Sequence, residues 1–388
     1  MGGSGKGHAG GKSHAEGKGP AGGKGHAGGK SHAEGKGPAG GKGHAGGPER
    51  PPADAEPGPG AVPVGPPPPY DPELAAELDA FGEAPPPRSL DELPRRRAEL
   101  ARMLPRPTLE ELQAGGTYEV SERAVPGPPG GPEVRLLLVR PAGLGDRRLP
   151  VVYHAHGGGM ITGDHRVSVL HMLDPWVGGL GVAVASVAYR LAPEHPHPAP
   201  VEDCYAGLVW LAAHAREAGI DPGRIVLAGN SAGGGLGAAL ALLARDRQGP
   251  ALLGQLLMSP MLDDRNDSPS ARQMAGLGVW DREANHLAWE ALLGDARGGP
   301  DVSPYAAPAR AEDLSGLPPA FIDVGSAETF RDEDVAYASR IWQCGGSAEL
   351  HVWPGGFHGF DGVAPEAALT RCALAARTEW LRRLLGKT

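Results

Sequence analysis

The stretch best able to do covalent chemistry is Gly229-Asn230-Ser231-Ala232-Gly233, a GxSxG pattern. A serine hydroxyl is a weak nucleophile at neutral pH. It needs a base to take its proton, an acid to orient that base, and donors for the oxyanion formed on attack at a carbonyl. His156-Gly157-Gly158-Gly159 offers the donors, because successive glycines let backbone N–H groups turn into one concavity. Gly157, Gly158 and the N–H of Ala232 are the expected set. One such donor is worth about a hundredfold or more in rate. The base should lie on a loop after the last strand, where His358 stands in Gly355-Gly356-Phe357-His358-Gly359-Phe360. His154 and His351 fall within strands, His195 and His197 in a proline-rich loop, and His214 and His286 on helices. His154 and His156 form a metal-like pair with no third ligand at suitable spacing, so no metal is expected. Glu328, three residues beyond Gly325, is the expected acid and Asp332 the runner-up, since spacing alone does not settle geometry. Asp323 sits inside a strand, and Asp332, Glu333 and Asp334 open the next helix, where acids serve the helix dipole.

These residues need a scaffold. Arg224–Ala228 reads as a strand and residues 232–245 as an alanine- and leucine-rich helix without proline, so Ser231 falls on a sharp strand-to-helix turn. Gly229 and Gly233 are there because a Cβ would strike the neighbouring strand or helix. Further strands are expected at 118–124 and 134–139 (a hairpin), 149–155, 181–189, 252–258, 320–324 and 348–353. Helices are expected at 71–81, 89–103, 108–114, 201–218 (closed by Gly219) and 366–385. Apolar strands alternating with helices predict an α/β fold with a mostly parallel sheet covered on both faces and an antiparallel edge. The strand rhythm breaks at 261–300. That stretch and the helices of about 70–115 are expected to form a cap, with Met160, Trp280 and Trp289 lining an apolar acyl pocket. Plain core packing is the alternative for the tryptophans.

The rest of the chain bounds its partners. Residues 1–47 repeat an 18-residue unit, Lys6–Gly23 recurring as Lys24–Gly41. Their composition cannot offset the entropy of ordering, so a disordered tail is expected. Residues 48–69 hold ten prolines and read as an extended linker to a domain spanning 70–388. The net charge is −9. The tail has seven lysines and two glutamates, so the remainder sums to −14 (−9 minus +5). An acidic body argues against nucleic acid. Cys204, Cys344 and Cys372 are odd in number and scattered, which predicts reduced, buried thiols. No run is long and apolar enough to span a membrane, and no signal peptide is evident; a cytoplasmic location is the expectation. A homodimer is left open.

Taken in order, His156-Gly157-Gly158-Gly159, Tyr189–His195 (YRLAPEH), Gly229–Gly234 (GNSAGG), the Gly325–Glu333 loop and His358-Gly359-Phe360 resemble the hormone-sensitive-lipase-like esterases of the α/β-hydrolase fold, over roughly residues 70–385. The resemblance implies hydrolysis of small, short-acyl carboxylic esters, with Ser231 as nucleophile, His358 as base, Glu328 as acid, Gly157, Gly158 and Ala232 as oxyanion donors, and no cofactor. Three positions depart from the family pattern. Asn230 stands where Asp or Thr is usual, Glu328 where Asp is more common, and His197 where an aromatic is expected. Arg190 and Glu194 are expected to pin a turn through Asp203. Two rival readings keep the fold: an amide or arylamine deacetylase, and a non-catalytic small-molecule receptor. Receptors of this architecture lack the histidine that is present here. Activity is expected to fall on acidification, because a protonated His358 cannot act as base.

Overall fold

The computed structural model describes residues 64–81 and 87–387, together with Gly2. The 18-residue repeats and residues 48–63 of the expected linker lie outside the described residues, Gly2 apart. Residues 64–70 carry neither helix nor strand.

Three helices come first: α1 (Pro72–Phe81), α2 (Leu93–Met103, preceded by a 3-10 turn) and α3 (Leu109–Leu112). The starts of α1 and α3 are legible in the residues. Asp71 Oδ1 accepts from the N–H groups of Glu73 and Leu74, and Thr108 forms a reciprocal capping box with Glu111. The strands are β1 (Tyr118–Val125), β2 (Val134–Pro141), β3 (Leu149–Ala155), β4 (Ala183–Ala188), β5 (Ile220–Asn230), β6 (Gly254–Met258), β7 (Ala320–Gly325) and β8 (Ala348–Trp353). They form one sheet in the order β1-β2-β4-β3-β5-β6-β7-β8. β2 runs antiparallel to both β1 and β4, and every later pairing is parallel.

Successive residues of the central strands serve different cores, as the two-residue strand period requires. Ile225 and Leu227 of β5 join one cluster, while Val226 and Ala228 join the other. On the first face lie α5 (Ala199–Ala213), α6 (Ala215–Ala218) and α7 (Ala232–Asp246). α7 is buried from Ala232 through Ala244, which its run of small and leucine residues permits. On the second face Trp380 and Leu381 of the last helix pack with Phe321 and Leu256. The remaining helices are α4 (Leu170–Met172, continuing as a π-turn to Gly178), α8 (Pro269–Gln273), α9 (Arg282–Leu293), α10 (Arg331–Gln343), α11 (Phe360–Val363) and α12 (Ala368–Leu384).

Several expectations need adjustment. The helix expected over 201–218 breaks at His214, which turns back so that its N–H and Nδ1 both reach the Trp210 carbonyl at 2.9 Å. β5 begins at Ile220, not 224, because Leu149 pairs with Ile220 before the register shifts. The helical run 167–178 is not among the expected elements, although Val169, Met172, Leu173, Trp176 and Val177 recur at helical spacing and are buried. Pro175 inside the run argues against a helix on sequence grounds. Of the cysteines, Cys204 is buried, but Cys344 is half-buried and Cys372 exposed. Among the described residues, no helix is long and apolar enough to cross a membrane.

Candidate active site

Parallel strands β3, β5, β6, β7 and β8 end along one edge of the sheet, and the loops there carry the chemistry-bearing residues. Ser231 follows β5 directly, with φ 57° and ψ −124°. This is a strained backbone for a serine, and it turns the side chain away from the helix that starts at Ala232. Packing holds the strain in place. A Cβ on Gly229 would lie 2.2 Å from the Gly233 carbonyl, and one on Gly233 would lie 2.0 Å from the Ala155 carbonyl. The Ser231 N–H donates to Met258 O at 2.8 Å, and its carbonyl accepts from Met261 N–H at 3.0 Å.

His358 and Glu328 arrive from the loops after β8 and β7. The His358 Nε2 lies 3.0 Å from Ser231 Oγ. Its Nδ1 lies 2.9 Å from both carboxylate oxygens of Glu328. Glu328 is 1 % exposed and also accepts from the Phe330 N–H at 3.1 Å. A carboxylate at Nδ1 places the ring proton there and leaves the Nε2 lone pair toward the hydroxyl, so the imidazole can accept the serine's proton. Phe330 meets the ring edge-on at 5.1 Å between centroids. Asp332 faces elsewhere: its Oδ2 accepts from Ser270 N–H at 2.7 Å, at the start of α8. Glu333 accepts from the N–H groups of Leu262 and Asp263. These two acids tie α10 to the 262–270 segment, a use beyond the helix dipole. Asp323 is held inside β7 by Arg377 Nε at 2.8 Å and Trp353 Nε1 at 3.0 Å.

The glycine loop leaves β3 beside the serine turn, since Ala155 pairs with Gly229. Here the expected donors divide. The Gly157 N–H donates to Asn230 Oδ1 at 3.1 Å, so it is already engaged. Among the described residues the N–H groups of Gly158 and Gly159 meet no protein acceptor. That of Ala232 opens α7, where N–H groups lack intrahelical partners. The reason lies in the carbonyls. Gly157 O is held by His156 Nδ1 at 2.8 Å, and Gly158 O by the N–H groups of Ile161 and Thr162 at 3.0 and 2.9 Å. In a trans peptide the C=O and N–H point in opposite directions. Pinning these two carbonyls therefore aims the N–H groups of Gly158 and Gly159 the other way. Gly158 has φ +111°, and a Cβ there would meet Thr162 O at 2.4 Å.

Of the residues expected to line a pocket, Trp280 stands near the chemistry. Its ring centroid is 6.3 Å from that of His358. Met160 and Trp289 are enclosed in the main core and do not face open space, because α9 turns Trp289 inward with Ala288 and Leu292.

A family model described as alpha/beta hydrolase fold matches residues 152–362, more than half of the chain. The chain belongs to this family. It is a hormone-sensitive-lipase-like member: it is 41 % identical over 229 residues to carboxylesterase NlhH of Mycobacterium tuberculosis, covering 57 % of this chain and 70 % of that one. It is 39 % identical over 230 residues to esterase LipI of the same organism, covering 56 % and 68 %. Among solved structures it is similar to a bacterial heroin esterase, with a TM-score of 0.74, 40 % identity and coverage of 81 % of this chain and 98 % of that one.

Within this α/β hydrolase the YRLAPEH turn is built differently from expectation. Arg190 does grip Asp203, with Nε–Oδ2 at 2.8 Å and Nη2–Oδ1 at 2.7 Å. Glu194 instead meets Arg97 of α2, whose hydrogen bonds hold its carboxyl down at about 2. Nothing local in the sequence marks Arg97 or the Asn230–Gly157 bond, since their partners are 97 and 73 residues away.

Burial pulls the His156 imidazole down to about 4, and burial holds His154 well below its ordinary value of 6.5. A depressed histidine is neutral in the fold but takes up a proton on unfolding. Its contribution to stability is therefore complete above about pH 6.5 and is lost as pH falls toward 4. For His156 the shift corresponds to about 3 kcal/mol. Urea unfolding of wild type and His156→Asn, compared at pH 7.5 and 4, should show the wild type losing about that much relative to the variant. A difference that does not change with pH would contradict a neutral His156.

Proposed function

We propose that this chain hydrolyses small, short-acyl carboxylic esters through an acyl-enzyme on Ser231, with His358 as general base and acid and Glu328 as the orienting carboxylate. The observation that carries the reading is the continuous line from Ser231 Oγ through His358 Nε2 at 3.0 Å to Glu328 at 2.9 Å. Ser231 attacks the ester carbonyl as His358 takes its proton. The oxyanion is received by the N–H groups of Gly158 and Ala232, with Gly159 in the place first expected of Gly157. The alcohol leaves with the proton from His358, and water then repeats the sequence against the acyl-enzyme. Trp280 supports the short-acyl preference, since a Cβ on Gly159 would stand 2.6 Å from its Cη2 atom. The indole thus closes one side of the space beside the donors.

A series of p-nitrophenyl esters from acetyl to dodecanoyl tests this. The wild type should favour the short members. Trp280→Ala should raise the ratio of octanoyl to acetyl kcat/KM by about tenfold, as expected for a few methylenes admitted to an apolar site. An unchanged chain-length profile would remove Trp280 from the acyl side, and no turnover of any ester would remove the reading.

A further inference from the structure

Arg97 lies on α2, outside the residues of the matched family model. Its guanidinium makes four hydrogen bonds that converge behind the glycine loop. Nε donates to Ile161 O at 2.8 Å, Nη2 to Ala192 O at 2.8 Å, and Nη1 and Nη2 grip Glu194 at 2.6 and 2.9 Å. The two backbone carbonyls matter most. The peptide plane that carries Ile161 O carries the Thr162 N–H at its other end. That N–H holds Gly158 O at 2.9 Å. The plane carrying Gly158 O in turn carries the Gly159 N–H, one of the unpartnered donors beside Ser231. Ala192, the second carbonyl partner, donates its own N–H to Met160 O at 2.9 Å, and Met160 sits at a positive φ of 59°.

From this relay of peptide planes we infer that Arg97 is a positioning residue for the oxyanion donors. It fixes the 161–162 plane from behind, and through Thr162 and Gly158 it fixes the direction of the Gly159 N–H. Helix α2 is then part of the catalytic framework as well as a cover. The geometry asks for arginine in particular. A planar fork can serve two carbonyls and a carboxylate at once, whereas a lysine ammonium offers a point charge and cannot span all three. The inference rests on the Ser231 reading above.

The test uses the full chain with p-nitrophenyl acetate and a boronic acid that binds serine as a tetrahedral mimic. Arg97→Ala should lower kcat by about tenfold to a hundredfold, the range expected when a reacting geometry is misplaced by about an ångström. KM should change little, and boronic acid affinity should weaken by the same factor as kcat, because both report the oxyanion and not the ground state. Arg97→Lys should fall between the two. Arg95→Ala, an exposed neighbour on the same helix, should match wild type. A lowered Tm with unchanged kcat and boronic acid affinity in Arg97→Ala or Arg97→Lys would overturn the role. If Arg97→Ala does not fold, Arg97→Lys decides alone. Ser231→Ala in the same assay separates the two readings. Full activity there overturns the site itself, whereas an inactive Ser231→Ala beside a fully active Arg97 variant overturns only the positioning role.

Discussion

Ser231→Ala is expected to lower kcat/KM for a p-nitrophenyl ester by about ten-thousand- to a million-fold while leaving the fold intact. The two halves of this expectation have separate grounds. The loss is large because in the proposed mechanism the hydroxyl forms the covalent bond, and among the described residues no other side chain hydrogen-bonds His358 Nε2. The residual rate is what the donors and substrate binding alone supply. Stability should move by less than about 0.5 kcal/mol. The turn is held by Ser231 backbone groups, with Met258 O, Met261 N–H and Gly235 N–H as partners, and these survive the substitution. The strained φ of 57° is no worse for alanine than for serine. Circular dichroism and a thermal melt establish the folded state, and steady-state kinetics read the loss. Turnover equal to wild type in a folded variant would end the serine-hydrolase reading.

Glu328→Gln carries the second largest effect, a fall in kcat of about a thousandfold or more. Glutamine keeps the size of the side chain and can still accept the Phe330 N–H bond. It no longer offers an anion to the imidazolium that forms when Ser231 is deprotonated. If its NH2 group turns toward Nδ1, the ring proton moves to Nε2 and the base faces the serine in the wrong tautomer. Asp332→Asn provides the contrast. That carboxylate accepts from Ser270 N–H and from Arg331, and does not contact His358, so kcat should stay within a few-fold of wild type. A large loss in Asp332→Asn with little loss in Glu328→Gln would exchange the two residues.

Much of the fold was readable because its signals are local. Buried parallel strands announce themselves as short apolar runs, and α7 as a proline-free run of alanine and leucine. The turn at Ser231 is readable for the same reason: Gly229 and Gly233 fall where backbone from the next element passes within about 2 Å of a built Cβ. The helical segment 167–178 is marked by Val169, Met172, Leu173, Trp176 and Val177 at helical spacing, but Pro175 in its middle reads as a helix breaker, and the π-turn that accommodates it has no sequence signature. The choice between Glu328 and Asp332 was closed to spacing. The two residues are four apart, and only the path of the loop between β7 and α10 decides which one meets His358.

By itself, then, the sequence determined the α/β fold class, the family, and which residue types stand at each strand end, because these follow from periodicity and from short contiguous motifs. Tertiary structure alone decided which of these groups touch. It took Gly157 out of the free donors through Asn230, enclosed Trp289 while leaving Trp280 beside His358, and brought Arg97 behind the glycine loop. Each of those outcomes depends on hydrogen-bond directions set by peptide planes or side chains remote in the chain. A bond of that kind leaves no pattern along the sequence, since either partner alone has the composition of an ordinary loop or helix.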